Sequence, residues 1–137
     1  MSRPIEQGSY RIKSFTEDGY YLGIGDSSRV VALKSGDAPV WNIKAAADTF
    51  IIWINGKRIT SDNGQLRTGS SDGTTWSIQH PEGYDPKVFT IENRRTGTGW
   101  ILGMSDSNTE VTDRVLIIGP SFPPYYPPNE LWVFERA

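Results

Sequence analysis

One histidine, His80, and no cysteine limit the chemistry open to this 137-residue chain. A zinc site needs three or four His, Cys or carboxylate ligands, which this inventory supplies poorly. A Ser-His-Asp arrangement is arithmetically available, but no serine sits in a G-x-S-x-G turn, and His80 precedes Pro81 in a loop-like stretch. It reads as a solvent-facing loop residue. The run Asp106-Ser107-Asn108-Thr109-Glu110 imitates the start of a calcium loop. It lacks the glycine at position six and the closing glutamate, so it reads as a hairpin tip. Glu17, Asp18, Asp62 and Asp72 fall in turn sequences, where aspartate bonds its own backbone. The sequence therefore nominates no catalytic group, no metal site and no cofactor. The bases Arg29, Lys57, Arg58, Arg94 and Arg95 read by themselves as solvated surface side chains.

Such side chains need a scaffold, and the pattern supplies one three times. Trp41-Asn42-Ile43, Trp76-Ser77-Ile78 and Trp132-Val133-Phe134 each place a tryptophan two residues before a large apolar side chain. Tyr10-Arg11-Ile12, Phe50-Ile51-Ile52 and Phe89-Thr90-Ile91 precede them as aromatic-x-Ile partners. Period-two spacing points both members of each pair to one face of a strand. Asn55-Gly56 between apolar stretches is a strong hairpin signal, and Asp62-Asn63-Gly64 and Asp72-Gly73 mark further turns. Further strands are expected at residues 20–24, 30–33, 57–60, 65–68, 100–104 and 111–118. Residues 37–40 and 45–47 have room for one helical turn at most. The expected fold is all-β: a β-trefoil of twelve short strands, closed so that no edge is left free. Its three units are residues 8–46, 47–86 and 87–137, after a loose tail at 1–7. Five of the nine prolines fall in 120–128, a stiff arm that cannot join a ladder.

Composition narrows the partners. Fourteen glycines and nine prolines suit many turns, and 12% aromatics compensate for a core lean in aliphatics. A net charge of −2 without a basic run argues against nucleic acid and anionic membranes. No apolar leader, membrane span or Asn-x-Ser/Thr acceptor is present, so a cytoplasmic monomer without disulfides is expected. Ricin-type lectins carry Gln-x-Trp in each unit. Here Pro39, Thr74 and Glu130 stand two before the repeated tryptophans. A lectin of another type would stack sugar on Trp100, Tyr125 or Tyr126.

The segment from Val115 to Trp132 resembles the cospin-like serine protease inhibitors of mushrooms. Gly8-Ser9-Tyr10-Arg11-Ile12, Tyr21-Leu22-Gly23 and Ala38-Pro39-Val40-Trp41-Asn42-Ile43 carry the likeness to the start of the chain. The resemblance implies a β-trefoil, a fungal intracellular protein with a defensive role, and inhibition of trypsin-like serine proteases through the loop between the second and third strands. That loop is Ile24-Gly25-Asp26-Ser27-Ser28-Arg29. A trypsin-like pocket holds a buried carboxylate and takes Arg or Lys, and Arg29 is the only base in the loop. Arg94-Arg95, beside Thr96-Gly97, is the second choice. Sugar binding and inhibition of cysteine proteases are the competing functions.

Overall fold

The computed structural model describes residues 5–17, 19–25, 28–33, 37–69, 74–103, 110–120 and 125–137. Among them lie twelve strands: β1 Gly8–Ser14, β2 Tyr21–Ile24, β3 Val30–Leu33, β4 Trp41–Ala46, β5 Thr49–Ile54, β6 Lys57–Asp62, β7 Gln65–Gly69, β8 Ser77–Gln79, β9 Val88–Asn93, β10 Thr98–Leu102, β11 Val111–Arg114 and β12 Trp132–Arg136. Their pairing closes a ring. β1 pairs with β4, β4 with β5, β8 with β9, β9 with β12, and β12 with β1. Phe50 and Trp76 exchange backbone bonds of 2.8 and 2.7 Å and complete the circuit between β5 and the start of β8. The aromatic-x-Ile segments meet their tryptophans in register: Tyr10 opposite Trp41, Phe50 opposite Trp76, Phe89 opposite Trp132.

The other six strands form the hairpins β2–β3, β6–β7 and β10–β11. They lean on one another through Arg29–Arg67, Val31–Glu110 and Thr112–Gln65 and so make a three-cornered cap on the ring. Asn55-Gly56 and Asn63-Gly64 have positive φ at both positions, as two-residue hairpin turns require.

Short ladders β1–β2, β5–β6 and β9–β10 join cap to ring, and a buried indole hydrogen bond reinforces each corner. The indole Nε1–H of Trp41 donates to Leu22 O at 3.0 Å, that of Trp76 to Ile59 O at 3.2 Å, and that of Trp132 to Trp100 O at 3.2 Å. All three rings are fully buried, each removing on the order of 200 Å² from water. Trp100 stands where the other corners have Leu22 and Ile59. Its ring meets Trp76 edge-on at 5.4 Å and Trp41 at 6.3 Å, filling the centre with aromatic contacts.

Several expectations change. Ile5 belongs to the buried core, and Tyr10 OH donates to Glu6 O at 2.6 Å, so residues 5–7 are anchored where a loose tail was expected. Ala45 and Ala46 extend β4 because β5 pairs alongside, and residues 37–40 carry no helix. Residues 74–76 pair only through the Trp76 bridge, so β8 starts at Ser77. β11 stops at Arg114, its last partner on β10 being Gly99, and residues 115–118 run on unpaired. A 3-10 turn over Pro128–Glu130 precedes the last strand, which begins at Trp132. Asp18, Asp72, Gly73, residues 104–109 and residues 121–124 lie outside the described residues, including most of the calcium-like run and part of the proline-rich arm.

Candidate functional site

The β2–β3 loop is short because Ile24 already faces Val30 in the ladder. Gly25 N–H donates to Arg29 C=O at 2.8 Å, closing it one step further out. An added Cβ at Gly25 would lie 3.0 Å from a Val31 methyl, so a larger residue would crowd the hairpin. Ser28 takes the left-handed region at φ 61°, turning the chain back into β3. Asp26 and Ser27 lie outside the described residues. The Arg29 guanidinium rests on Glu110, Nη1 to Oε1 at 3.0 Å, with the two side chains 25% and 41% exposed. Arg29 therefore stands at the rim of the cap, held by the first residue before β11.

The β9–β10 turn carries the second pair of bases and is built differently. Gly97 N–H donates to Asn93 O at 2.9 Å and Arg95 N–H to Asn93 Oδ1 at 3.1 Å. Asn93 is buried, and its Nδ2 donates to Asp113 Oδ2 at 3.1 Å. Asp113 also accepts from Ser61 Oγ at 2.8 Å and Thr98 Oγ1 at 2.5 Å. Three donors from β6, β9 and β10 thus converge on one buried carboxylate of β11. Beside it opens a polar cleft of about 490 Å³, with Thr75, Arg94, Arg95 and Thr96 among its walls. Arg94 Nη1 donates to Asp48 Oδ2 at 2.6 Å, and this bond holds the Asp48 carboxyl below its usual range. Arg95 has no side-chain partner among the described residues. Arg29 and Arg94 sit in separate ion pairs, so the two candidate loops are independent features.

Other singled-out residues fall into place. Trp100 is fully buried and cannot stack on a sugar, while Tyr125 is exposed. Tyr126 is half-buried, its N–H donating to Tyr84 OH at 3.1 Å. His80 is exposed, with Nδ1–H donating to Val88 O at 2.9 Å. Among the described residues no three His or acidic side chains gather in a metal-holding group. Lys57 and Arg58 lie in β6, where Arg58 Nη2 donates to Thr74 O at 2.9 Å. Glu110, Asp48, Asp113 and Glu130 give no sequence signal of their pairing, because each partner lies on another strand or loop. Asn93 just before two arginines and a Thr-Gly turn is the one local clue, since Asn bonds the backbone two residues on.

Six strands closed into a ring, with six more in three capping hairpins, define an all-β scaffold of the β-trefoil class. The described chain superposes on the BEL β-trefoil with TM-score 0.69 at 15% identity, covering 99% of this chain and 97% of that one. It superposes on SeviL bound to asialo-GM1 saccharide with TM-score 0.72 at 14% identity, covering 96% and 99%. These likenesses show the fold. A proteinase inhibitor from Coprinopsis cinerea matches with TM-score 0.83 at 27% identity, over 97% of this chain and 99% of that one. No curated protein matches significantly. The family model of peptidase inhibitor I66 matches residues 3–136, and the chain belongs to that family. It is a peptidase inhibitor and not an enzyme.

Proposed function

We propose that this protein inhibits trypsin-like serine proteases by offering the β2–β3 loop, residues 24–29, to the enzyme's cleft as a substrate mimic, one chain per protease and without a cofactor. The observation that carries the reading is the closure of the loop by the Ile24–Val30 register, with an arginine at its rim. A loop tied this closely loses little conformational entropy on binding. Interfaces of protease–inhibitor size, about 1,600 Å², can then be tight.

Arg29 supplies the charge for a carboxylate-lined pocket. In the free protein it rests on Glu110 in a part-exposed pair, which contributes about 0.5–1 kcal/mol. Turning its carbonyl towards an oxyanion hole breaks the bond from Gly25, at about 0.5–1.5 kcal/mol. Both costs are small beside the roughly 12 kcal/mol of a nanomolar complex. If the enzyme acylates the loop, the paired strands keep the new amine beside the acyl group, so religation outruns hydrolysis.

A second reading puts Arg95 in the pocket, because its guanidinium has no partner to leave among the described residues. Its backbone lies in a turn, however, and a cleft that binds extended chain accepts a turn poorly. The same account takes residues 8–46, 47–86 and 87–137 as three related units. The threefold recurrence of aromatic–Trp register and of indole-to-carbonyl bonds supports it.

The test is an inhibition titration against trypsin, with papain and chymotrypsin in parallel. Tight inhibition of trypsin by the wild type, lost on Arg29→Ala, is expected. Inhibition of papain alone, or of no protease, overturns the reading.

A further inference from the structure

Three of the six exposed large apolar side chains among the described residues follow β11 directly, and a fourth, Tyr125, lies across the bridge from Gly119. Val115 is 73% exposed, Ile117 67%, Ile118 53% and Tyr125 55%. Isolated surface aliphatics need no explanation, but several on one short segment mark an interaction site. The segment is neither a strand of the ring nor a slack loop. Val115 faces out, Leu116 in and Ile117 out, an extended-backbone alternation that ends at Ile118, which is exposed as well. Leu116 packs over Gly99, where an added Cβ would lie 3.0 Å from both its methyl carbons. Ile117 N–H donates to Glu130 Oε2 at 2.6 Å. Gly119 N–H donates to Tyr125 O at 2.6 Å and ends the segment in a bridge.

Glu130 is the telling residue. Among the described residues it is a buried carboxylate with no cation beside it, and its Oε1 has no partner. Burying such a group is unfavourable, and its visible function is to hold the backbone of an exposed, apolar stretch. The result is a strand-like segment fixed at both ends, braced from behind, and unpaired along its outer side. Ile118 N–H, next along the chain, has no bond among the described residues.

We propose that residues 115–119 form a second protease-binding segment, suited to serine proteases whose specificity pocket takes an aliphatic side chain, with Ile118 as the residue that enters it. Such enzymes bind extended chain by main-chain pairing and read side chains in pockets. An aliphatic pocket is the complement of Ile118, as a carboxylate-lined one is of arginine. This inference rests on the inhibitor family of the chain and not on the assignment of Arg29, so one protein would carry two separate reactive surfaces.

The experiment is inhibition of an elastase-type protease and of trypsin, side by side, by the wild type and by Ile118→Asp, Arg29→Ala, Glu130→Ala and Glu130→Gln. Circular dichroism and urea midpoints check that each variant folds. The expected result is wild-type inhibition of the elastase-type enzyme, weakened at least about 30-fold by Ile118→Asp, the factor of a central interface anchor. Trypsin inhibition should be unchanged by Ile118→Asp, and elastase inhibition unchanged by Arg29→Ala. Glu130→Ala should weaken elastase inhibition and Glu130→Gln, which keeps an acceptor for Ile117 N–H, should restore it. Absence of elastase inhibition in the wild type, or full inhibition by Ile118→Asp, overturns the proposal. Loss of trypsin inhibition alone bears only on the β2–β3 loop.

Discussion

Removing Glu110 separates two roles for Arg29 that removing Arg29 alone would confuse. In the free protein the pair spans 3.0 Å with both side chains partly in water, so it contributes about 0.5–1 kcal/mol. If Arg29 enters the protease pocket, it must first leave Glu110. Glu110→Ala abolishes that step, and trypsin inhibition should tighten by about two- to fivefold. Arg29→Ala leaves the enzyme's buried carboxylate unmatched, a loss of about 2–5 kcal/mol, or roughly 30- to 5,000-fold in the inhibition constant. Tight-binding titration at fixed ionic strength reads both changes. Urea unfolding should show Arg29→Ala within about 1 kcal/mol of wild type, since the pair it loses is part-exposed. If Arg29 instead pins the loop, both substitutions should weaken inhibition by a similar, modest factor. That pattern, or an Arg29→Ala variant as potent as wild type, would refute insertion and turn attention to Arg95.

Further outcomes follow from the core and its titrating groups. Trp76→Phe removes the indole donor from the buried Ile59 carbonyl and should cost about 2–4 kcal/mol in urea unfolding. Trp100→Phe should cost less, because Trp100 Nε1 has no partner among the described residues. Asp113→Ala strands the donors of Ser61, Asn93 and Thr98 and should destabilise by about 3–5 kcal/mol, again by urea midpoint. Two glutamates should tilt the pH profile of stability in opposite senses. The Tyr21 hydroxyl, 2.6 Å away, lowers the Glu135 pKa, with Lys13 adding to it. Its contribution is present above the ordinary value of 4.5 and is lost as pH falls through the lowered folded value. Tyr21→Phe should therefore reduce acid sensitivity. Burial raises the Glu130 pKa, only partly offset by the Ile117 N–H. Its stability contribution is full below 4.5 and is lost as pH rises through the raised folded value, a loss that Glu130→Gln should abolish.

Local pattern carried much of the scaffold. A strand's side chains alternate, so tryptophan two residues before an apolar partner marks a ring position wherever it occurs. Asn-Gly favours positive φ at both residues, so the turns at 55–56 and 63–64 could be read from their dipeptides. The pairing of each aromatic with its tryptophan was legible for the same reason, because the motif recurs while the loops between vary. The alternation cannot report where a ladder stops: residues 115–118 read as strand, yet β10 offers no partner past Gly99. Nor can composition tell a buried ring from an exposed one. Trp100 looked available to a sugar, but it takes the central place that Leu22 and Ile59 hold in the other corners.

The sequence by itself determined the class: no cysteine and so no thiol chemistry, short strands in a threefold pattern, and a likeness to a family of inhibitors. Tertiary structure decided what each presented residue faces. It set Arg29 on Glu110, Asn93 on Asp113 and the Ile117 amide on Glu130, pairs separated by up to 81 residues in the chain. Strand period and turn propensity act over a few neighbouring residues and can be read from them. Contacts between hairpins depend on how the ring closes, and closure is a property of the whole chain.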